Sequence, residues 1–493
     1  MSYYIGADLG TSSLKLMLVD RSGAICKTVT KNYEVIYPKV GWSEQNPSDW
    51  WSAFQCGIKE LTADIDSKEV NAIGVGGQMH GLVVLDSSDK VIRPAILWND
   101  GRTARETDYL NSEIGYSVLS ECTANIAFAG FTAPKILWMK ANEPDNYSKI
   151  NKFMLPKDYI NYLLTGIHAT DLSDASGMLL LDVKKRSWSK KMLEICSVKD
   201  EWCPKLYESY EVIGEVRPEI AELLGLNSSV KVVAGAGDNA AAAIGTGTVG
   251  EGKCNISLGT SGTVFISSER FSLDSNNALH SFCHADGGYH LMGCILSAAS
   301  CNKWFCDNVL ETSDYAKEGN RIDQSKLGKN EVFFLPYLMG ERSPINDTDA
   351  SGVFIGLNPT TTREDMLLAV FEGVSFAIRD NVDVARKLGI DIKTSKICGG
   401  GAKSSIWRRI LANVLGIELE IPVSEEGPGF GGAILAMVAD GVYENVKTAS
   451  EALVETKEVV NPEPELIALY EEKYQKYKKI YPSIKNLYKE LKK

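Results

Sequence analysis

The chain has 493 residues, 44 % of them hydrophobic and 24 % charged, with a formal net charge of −12. This composition excludes bulk disorder, and the length accommodates at least two domains with cores of their own. An acidic balance without a basic stripe speaks against nucleic-acid binding, no run approaches the roughly 18 apolar residues of a membrane span, and eleven scattered cysteines suit a reducing cytoplasm.

The residues Met1 to Asp8 lack the basic and apolar regions of a signal peptide. Ile5-Gly6-Ala7-Asp8-Leu9-Gly10-Thr11-Ser12-Ser13, followed by Leu14, Leu16 and Leu18 in alternation, predicts strand, tight turn, strand. Apolar spacing predicts a helix over 48–61, and strands are expected over 70–75 and 82–85. Residues 231–236 read as a buried strand leading into a small-residue helix over 240–244. Leu-Gly-Thr-Ser then recurs at Leu258-Gly259-Thr260-Ser261, 249 residues after the first copy, again ahead of an apolar alternation at Val264 and Ile266. Cys294 onward reads as the buried face of a helix. Residues 363–388 predict a long amphipathic helix, and the strand at 396–398 ends in Gly399-Gly400-Gly401. Tyr470, Tyr474, Tyr477, Tyr481 and Tyr488 mark a docking helix interrupted at Pro482, with eight lysines from Lys473 onward as a solvated face. Strands and helices alternating in this way indicate an α/β protein.

Several motifs are decoys. Residues 247–254 nearly match a P-loop, but the Ser/Thr for Mg²⁺ is missing and a strand follows, so a connecting turn is expected. Gly235-Ala236-Gly237-Asp238-Asn239-Ala240 fits a dinucleotide fingerprint formally, yet no acidic residue follows at the ribose position and Asp238 would repel a pyrophosphate. Of His280, Cys283, His284, His290, Cys294, Cys301 and Cys306, only His280 and His284 have a metal-site spacing, so packing is the expected role. More telling are Asp8 and Asp238 beside small-residue turns. Such turns present backbone N–H groups to anionic oxygens, and an adjacent carboxylate can hold Mg²⁺ or simply cap the turn. Three such turns around one cleft would suit phosphoryl transfer, which needs positioning, charge neutralisation and a base.

At this point the sequence resembles the FGGY carbohydrate kinases, and within them the xylulokinase branch. The resemblance spans the chain through Asp8–Ser12, Gly76-Gly77-Gln78-Met79-His80-Gly81, Arg93–Arg102, Thr170–Gly177, Gly235–Ala240, Ser257–Gly262, His280–His284, Leu335–Arg342 and Gly399–Trp407. It implies an α/β fold of two actin/hexokinase-like, ribonuclease H-like ATPase domains flanking a central cleft. Residues 1–246 would bind sugar and 247–493 nucleotide. The implied reaction is ATP-dependent phosphorylation of D-xylulose to D-xylulose 5-phosphate, with ATP as co-substrate and Mg²⁺ as cofactor. Asp238 is the implied base and is expected to be ionised at neutral pH without any raised pKa. Met79, His80 and Asn239 would contact the sugar and Asp8 the metal. Thr11, Ser12, Gly259 and Thr260 would meet the phosphates, and Gly400, Gly401, Ala402 and Ser405 would border the adenosine. The run Ala240–Ala243, where relatives often carry a glycine, reads as helix packing. Trp98 is expected near the cleft. Expected partners are sugar and ATP, with no nucleic acid and no membrane, in the cytoplasm; a homodimer is left open. Rival readings are a kinase of gluconate, ribulose or a deoxy sugar, a non-catalytic sensor, and a dehydrogenase.

Overall fold

The computed structural model describes residues 2–423 and 426–491. Two seven-stranded sheets organise the chain. In the first, β1 (Tyr3–Leu9), β2 (Ser13–Asp20) and β3 (Ile25–Asn32) form an antiparallel meander, and β4 (Val70–Gly77) runs parallel to β1. β5 (Val212–Glu215) pairs antiparallel with β6 (Lys231–Val233), which lies parallel to β4, and the short β7 (Ala236–Gly237) extends beside β4.

The second sheet repeats this path. β8 (Cys254–Leu258), β9 (Gly262–Ser268), β10 (His280–Cys283) and β11 (Tyr289–Ile295) are antiparallel in the order β8-β9-β11-β10. β12 (Thr394–Cys398) and β13 (Glu418–Pro422) continue parallel on the other side of β8, and β14 (Thr456–Val460) closes the edge antiparallel. The recurring tetrapeptide therefore marks the first hairpin of each sheet, within the duplicated α/β architecture that the resemblance implies.

The helices include α1 (Pro47–Leu61), α2 (Thr132–Asn142) and α3 (Asp238–Gly245) in the first half. Later come α4 (Ala299–Asn308), α5 (Arg363–Lys387), α6 (Ser405–Leu415), α7 (Gly427–Ala439), α8 (Pro464–Tyr477) and α9 (Ile480–Leu491). Pro47 starts α1, and Trp50, Phe54, Ile58 and Leu61 recur at helical spacing on its buried face. Thr362 and Asp365 cap α5 reciprocally through each other's backbone N–H groups.

α7 crosses from the second half to lie on β1, β4 and α3. The approach is backbone to backbone: a Cβ on Gly74 would stand 2.1 Å from the Gly432 carbonyl oxygen, and one on Gly431 1.9 Å from that of Ala241. The small residues of Ala240–Ala243 are what allow α3 to meet a glycine-rich helix so closely.

Four local expectations are corrected. The strand expected over 231–236 breaks at Gly235, which takes φ +77 and separates β6 from β7. Cys294 lies in β11, opposite Thr263, and the helix begins only at Ala299. The C-terminal helix is interrupted before Pro482, which sits in the first turn of α9, where a missing N–H costs nothing. Lys473 is buried and ion-paired with Glu372 rather than solvated. The Tyr470, Tyr474, Tyr477 and Tyr488 rings are buried as the stripe implied.

Candidate active site

A cavity of about 210 Å³ opens between the two sheets. The first half supplies Met79, His80, Trp98, Phe131, Asp238 and Asn239, and the second Ser261, Thr263, His280, Phe282, Met292, Cys294 and Arg342. It gathers all four residues expected to touch a sugar. A wider groove of about 280 Å³, between α5 and the C-terminal helices, shares none of them.

His80 follows β4 in a left-handed backbone conformation, φ +67. Its carbonyl oxygen accepts from Lys135 Nζ at 2.8 Å and Thr132 Oγ1 at 3.1 Å, both on α2. Its Nδ1 lies 2.8 Å from the Gly177 carbonyl oxygen, which can only accept, so Nδ1 carries the hydrogen and Nε2 is left as an acceptor. Burial, then the Lys135 charge, pushes the imidazole pKa down to about 3, so the ring is neutral. Position 177 must be glycine here, since a Cβ would lie 2.4 Å from His80 Cε1.

Asp238 is the first residue of α3, and its Oδ1 accepts from the Asn239 backbone N–H at 2.7 Å and from Asn239 Nδ2 at 2.9 Å. Burial and, second, the Asp8 charge raise its pKa to about 7. This corrects the expectation of an unshifted carboxylate: burial and a second acidic group nearby both disfavour its charged form. Asp8 itself is pushed up to about 6, by burial first, against the pull of Lys15. Lys15 sits opposite Asp8 in the β1–β2 register and is ion-paired with Glu426. Asp8 and Asp238 are hard oxygen donors of the kind Mg²⁺ takes, so Asp8 fits the metal-side role expected of it.

The two Gly-Thr-Ser turns, expected to meet the phosphates, leave backbone amides open. In the first, Trp98 Nε1 donates to Thr11 Oγ1 at 2.9 Å, and that hydroxyl donates to Gln78 Oε1 at 3.3 Å. Thr11 thus spends its hydroxyl on the protein. The N–H groups of Thr11 and Ser12 donate to no protein acceptor among the described residues, nor do those of Gly259, Thr260 and Ser261 in the second turn. Free amides in a tight turn form an anion cradle. Gly399 presses on the second turn, where a Cβ would stand 2.8 Å from Leu258 backbone atoms. Gly400 faces open space, Gly401 and Ala402 are buried, and Ser405 is exposed at the start of α6. Of the residues expected to border the adenosine, Gly401 packs against Leu258 beside the second turn, and none of the four lines the cavity.

The His/Cys segment packs. His284 Nε2 lies 3.0 Å from the Thr248 carbonyl oxygen, and His290 stacks on Phe265 at 4.0 Å. Sequence reasoning missed Lys15, Phe131, Lys135, Thr263 and the cavity-facing side of Arg342. Lys15 was recoverable from strand alternation across the hairpin, and Arg342 stood in a quoted motif without a role. Lys135 carried no signal, being one lysine in an apolar stretch.

Two related α/β sheets enclosing a cavity that holds Asp238, with Asp8 and two glycine turns beside it, are the arrangement of a sugar-kinase fold. Models of the FGGY family of carbohydrate kinases match residues 3–245 with the N-terminal domain and 254–439 with the C-terminal domain. The chain belongs to the FGGY family of carbohydrate kinases. It is 39 % identical over 484 residues to the xylulose kinase of Escherichia coli (strain K12), covering 98 % of this chain and 99 % of that one. The crystal structure of a xyloylose kinase from Brucella ovis superposes with a TM-score of 0.93 at 38 % identity, over 98 % of this chain and 100 % of that one. A gluconate kinase from Lactobacillus acidophilus reaches the same TM-score, 0.93, at 27 % identity over 99 % of each chain.

Proposed function

We propose that this carbohydrate kinase transfers the γ-phosphoryl group of ATP to the C5 hydroxyl of D-xylulose. The observation that carries the reading is the cavity that His80, Asp238 and Asn239 line together, in a chain whose similar relatives include the Escherichia coli xylulose kinase. His80 Nε2 accepts a hydrogen bond from a sugar hydroxyl, and Asn239, fixed to Asp238, orients a second. The free Asp238 oxygen takes the C5–OH proton as that oxygen attacks the γ-phosphorus. The new O–P bond forms as the bond to the ADP oxygen breaks, and the proton later passes to solvent. A base with pKa about 7 suits this task, because it is substantially ionised at neutral pH and still basic enough to accept. The amides at 11–12 and 259–261 receive charge from the phosphate oxygens. Mg²⁺, held by Asp8, supplies further neutralisation of the triphosphate when bound.

In this reading residues 1–246 carry most of the sugar contacts and 247–493 the nucleotide, borne by Gly400, Gly401, Ala402 and Ser405. The setting is cytoplasmic, which the sparse, scattered cysteines of the sequence support.

Coupled ADP release tests the proposal across D-xylulose, D-ribulose, a deoxy ketose, D-gluconate and xylitol, with and without EDTA. D-Xylulose should give the highest kcat/KM, and EDTA should abolish turnover. Gluconate is the specific rival, given the equal superposition on a gluconate kinase. Faster turnover of gluconate would replace D-xylulose.

A further inference from the structure

One permanently charged side chain faces the cavity without a partner. Arg342 lines it with its guanidinium carbon 5.1 Å from the centre of the Phe128 ring. Its backbone N–H donates to Glu341 Oε1 at 2.8 Å, but among the described residues its guanidinium has no ion pair and no hydrogen-bond acceptor. A guanidinium cannot shed its charge, and its five N–H donors are arranged to meet oxygen acceptors.

Its position along the cavity is defined by an aromatic wall. His80 stacks on Phe131 at 4.6 Å, Phe131 lies 5.6 Å from His280, and His280 lies 5.1 Å from Phe128, over which Arg342 sits. Asp238 is tied instead to Met79, beside His80: its Oδ1 accepts from Asn239 Nδ2, which also lies 3.9 Å from Met79 Sδ. The Arg342 charge bears on His80 and His280, whereas Asp238 is shifted by burial and by Asp8. Arg342 therefore stands away from the base and the phosphoryl group.

Ketose chemistry gives that separation a purpose. A 2-pentulose closes a furanose ring only by adding its C5 hydroxyl to its C2 carbonyl. That hydroxyl is the one to be phosphorylated, so only the open-chain ketone can react. We infer that Arg342 recognises the carbonyl end of the sugar, donating from its guanidinium to the C2 oxygen, so that the site selects the open-chain ketose with C5 extended toward Asp238. The inference rests on the ketose reading above.

The test compares wild type, Arg342→Met and Arg342→Lys on D-xylulose and on xylitol, which has a hydroxyl in place of the carbonyl. Turnover of D-xylulose by the wild type is measured first. If gluconate is phosphorylated instead, the ketose reading fails before any variant is compared, and the carbonyl role falls with it. Given D-xylulose turnover, Arg342→Met should raise the KM for D-xylulose about 10–100-fold, the range for losing a charged hydrogen bond, and narrow its advantage over xylitol. The KM for ATP should hold, and Arg342→Lys should recover part of the sugar affinity. An unchanged sugar KM, or a loss confined to kcat and ATP affinity, would overturn the inference. Thermal melting establishes that each variant folds. If Arg342→Met does not, the KM split of Arg342→Lys decides between the same outcomes.

Discussion

The two halves share a hairpin and a Leu-Gly-Thr-Ser turn, but the residue before that tetrapeptide is Asp8 in the first and Ser257 in the second. Both turns leave amides without a protein acceptor among the described residues, but only the first has a carboxylate before it. Their bracing differs as well. Tyr33 and Gln45 hold the first turn by hydrogen bonds to the Gly10 and Thr11 carbonyl oxygens, and Trp98 binds the Thr11 hydroxyl. The second is held by the start of α4: the N–H groups of Ala298 and Ala299 donate to the Thr260 and Gly259 carbonyl oxygens, and the Ser300 hydroxyl donates to that of Thr260. The first turn is thus wired through Trp98 and Gln78 to the sugar cavity, and the second to a helix start. One scaffold can serve substrate recognition and phosphate binding when only the side chains around it diverge.

The sharpest way to break the comparison is to remove Asp238, the base proposed above, which the first half supplies. Asp238→Ala should lower kcat by roughly 10²–10⁴-fold with melting unchanged, as steady-state kinetics and calorimetry would show. Near wild-type turnover would take Asp238 out of the mechanism. Next, Asp8→Ser makes the first turn chemically like the second. We expect kcat to fall by about 10²-fold, the scale of losing one electrostatic stabiliser, with a higher Mg²⁺ requirement. Ser257→Ala should cost less than about tenfold, since it removes only a neutral hydroxyl. Equal losses at the two positions would mean that the carboxylate is not what separates the turns.

Much of this was legible before any coordinates. The repeated tetrapeptide located the first hairpin of both sheets because Gly-Thr-Ser turns and alternating leucines are local signals, and β8 and β9 followed from the same pattern. The cavity residues Met79, His80, Asp238 and Asn239 came through family resemblance, and the structure brings them together. What stayed hidden depended on distant packing. The raised pKa of Asp238 arises from burial and from a charge 230 positions earlier in the chain, at Asp8. Cys294 sat in a stretch whose small residues suit a helix, and only pairing with Thr263 makes it a strand. Gly431 and Ala241 touch through their backbones, which no side-chain pattern records.

That last contact joins the halves and can be tested by its tightness. Gly431→Ala should destabilise the fold by about 1–3 kcal/mol, the usual cost of overpacking, as read from urea unfolding. Gly400→Ala, which meets open space, should leave stability unaltered. On the sugar side, His80→Ala should raise the sugar KM about tenfold by removing one acceptor, with ATP affinity kept. Calorimetry showing lost ATP binding and retained sugar binding would place that turn on the wrong substrate.

The smallest effect concerns acid stability and compares a histidine from each half. His80 and His280 both have pKa values pushed down from 6.5 to about 3, by burial first. Between those values the unfolded chain binds protons that the folded protein refuses. Their contribution is therefore complete above pH 6.5 and is lost as the pH falls toward 3. At pH 5 linkage gives at most about 2 kcal/mol for each, and nearer 1 kcal/mol after allowing for solvent in the cavity they face. Total stability is a poor probe, because Asp8, Asp238, Glu341 and Asp380 have raised values, about 6, 7, 8 and 7, and favour the folded state as pH falls. The difference between wild type and variant cancels those carboxyls to first order. Relative to wild type, His80→Asn and His280→Asn should each gain about 1 kcal/mol between pH 7.5 and pH 5, measured by urea unfolding at both pH values. If His80→Asn gains and His280→Asn does not, the cavity is dry on one wall only. If neither gains, both rings take up protons in place, and the neutral Nε2 acceptor assigned to His80 would be wrong at acid pH.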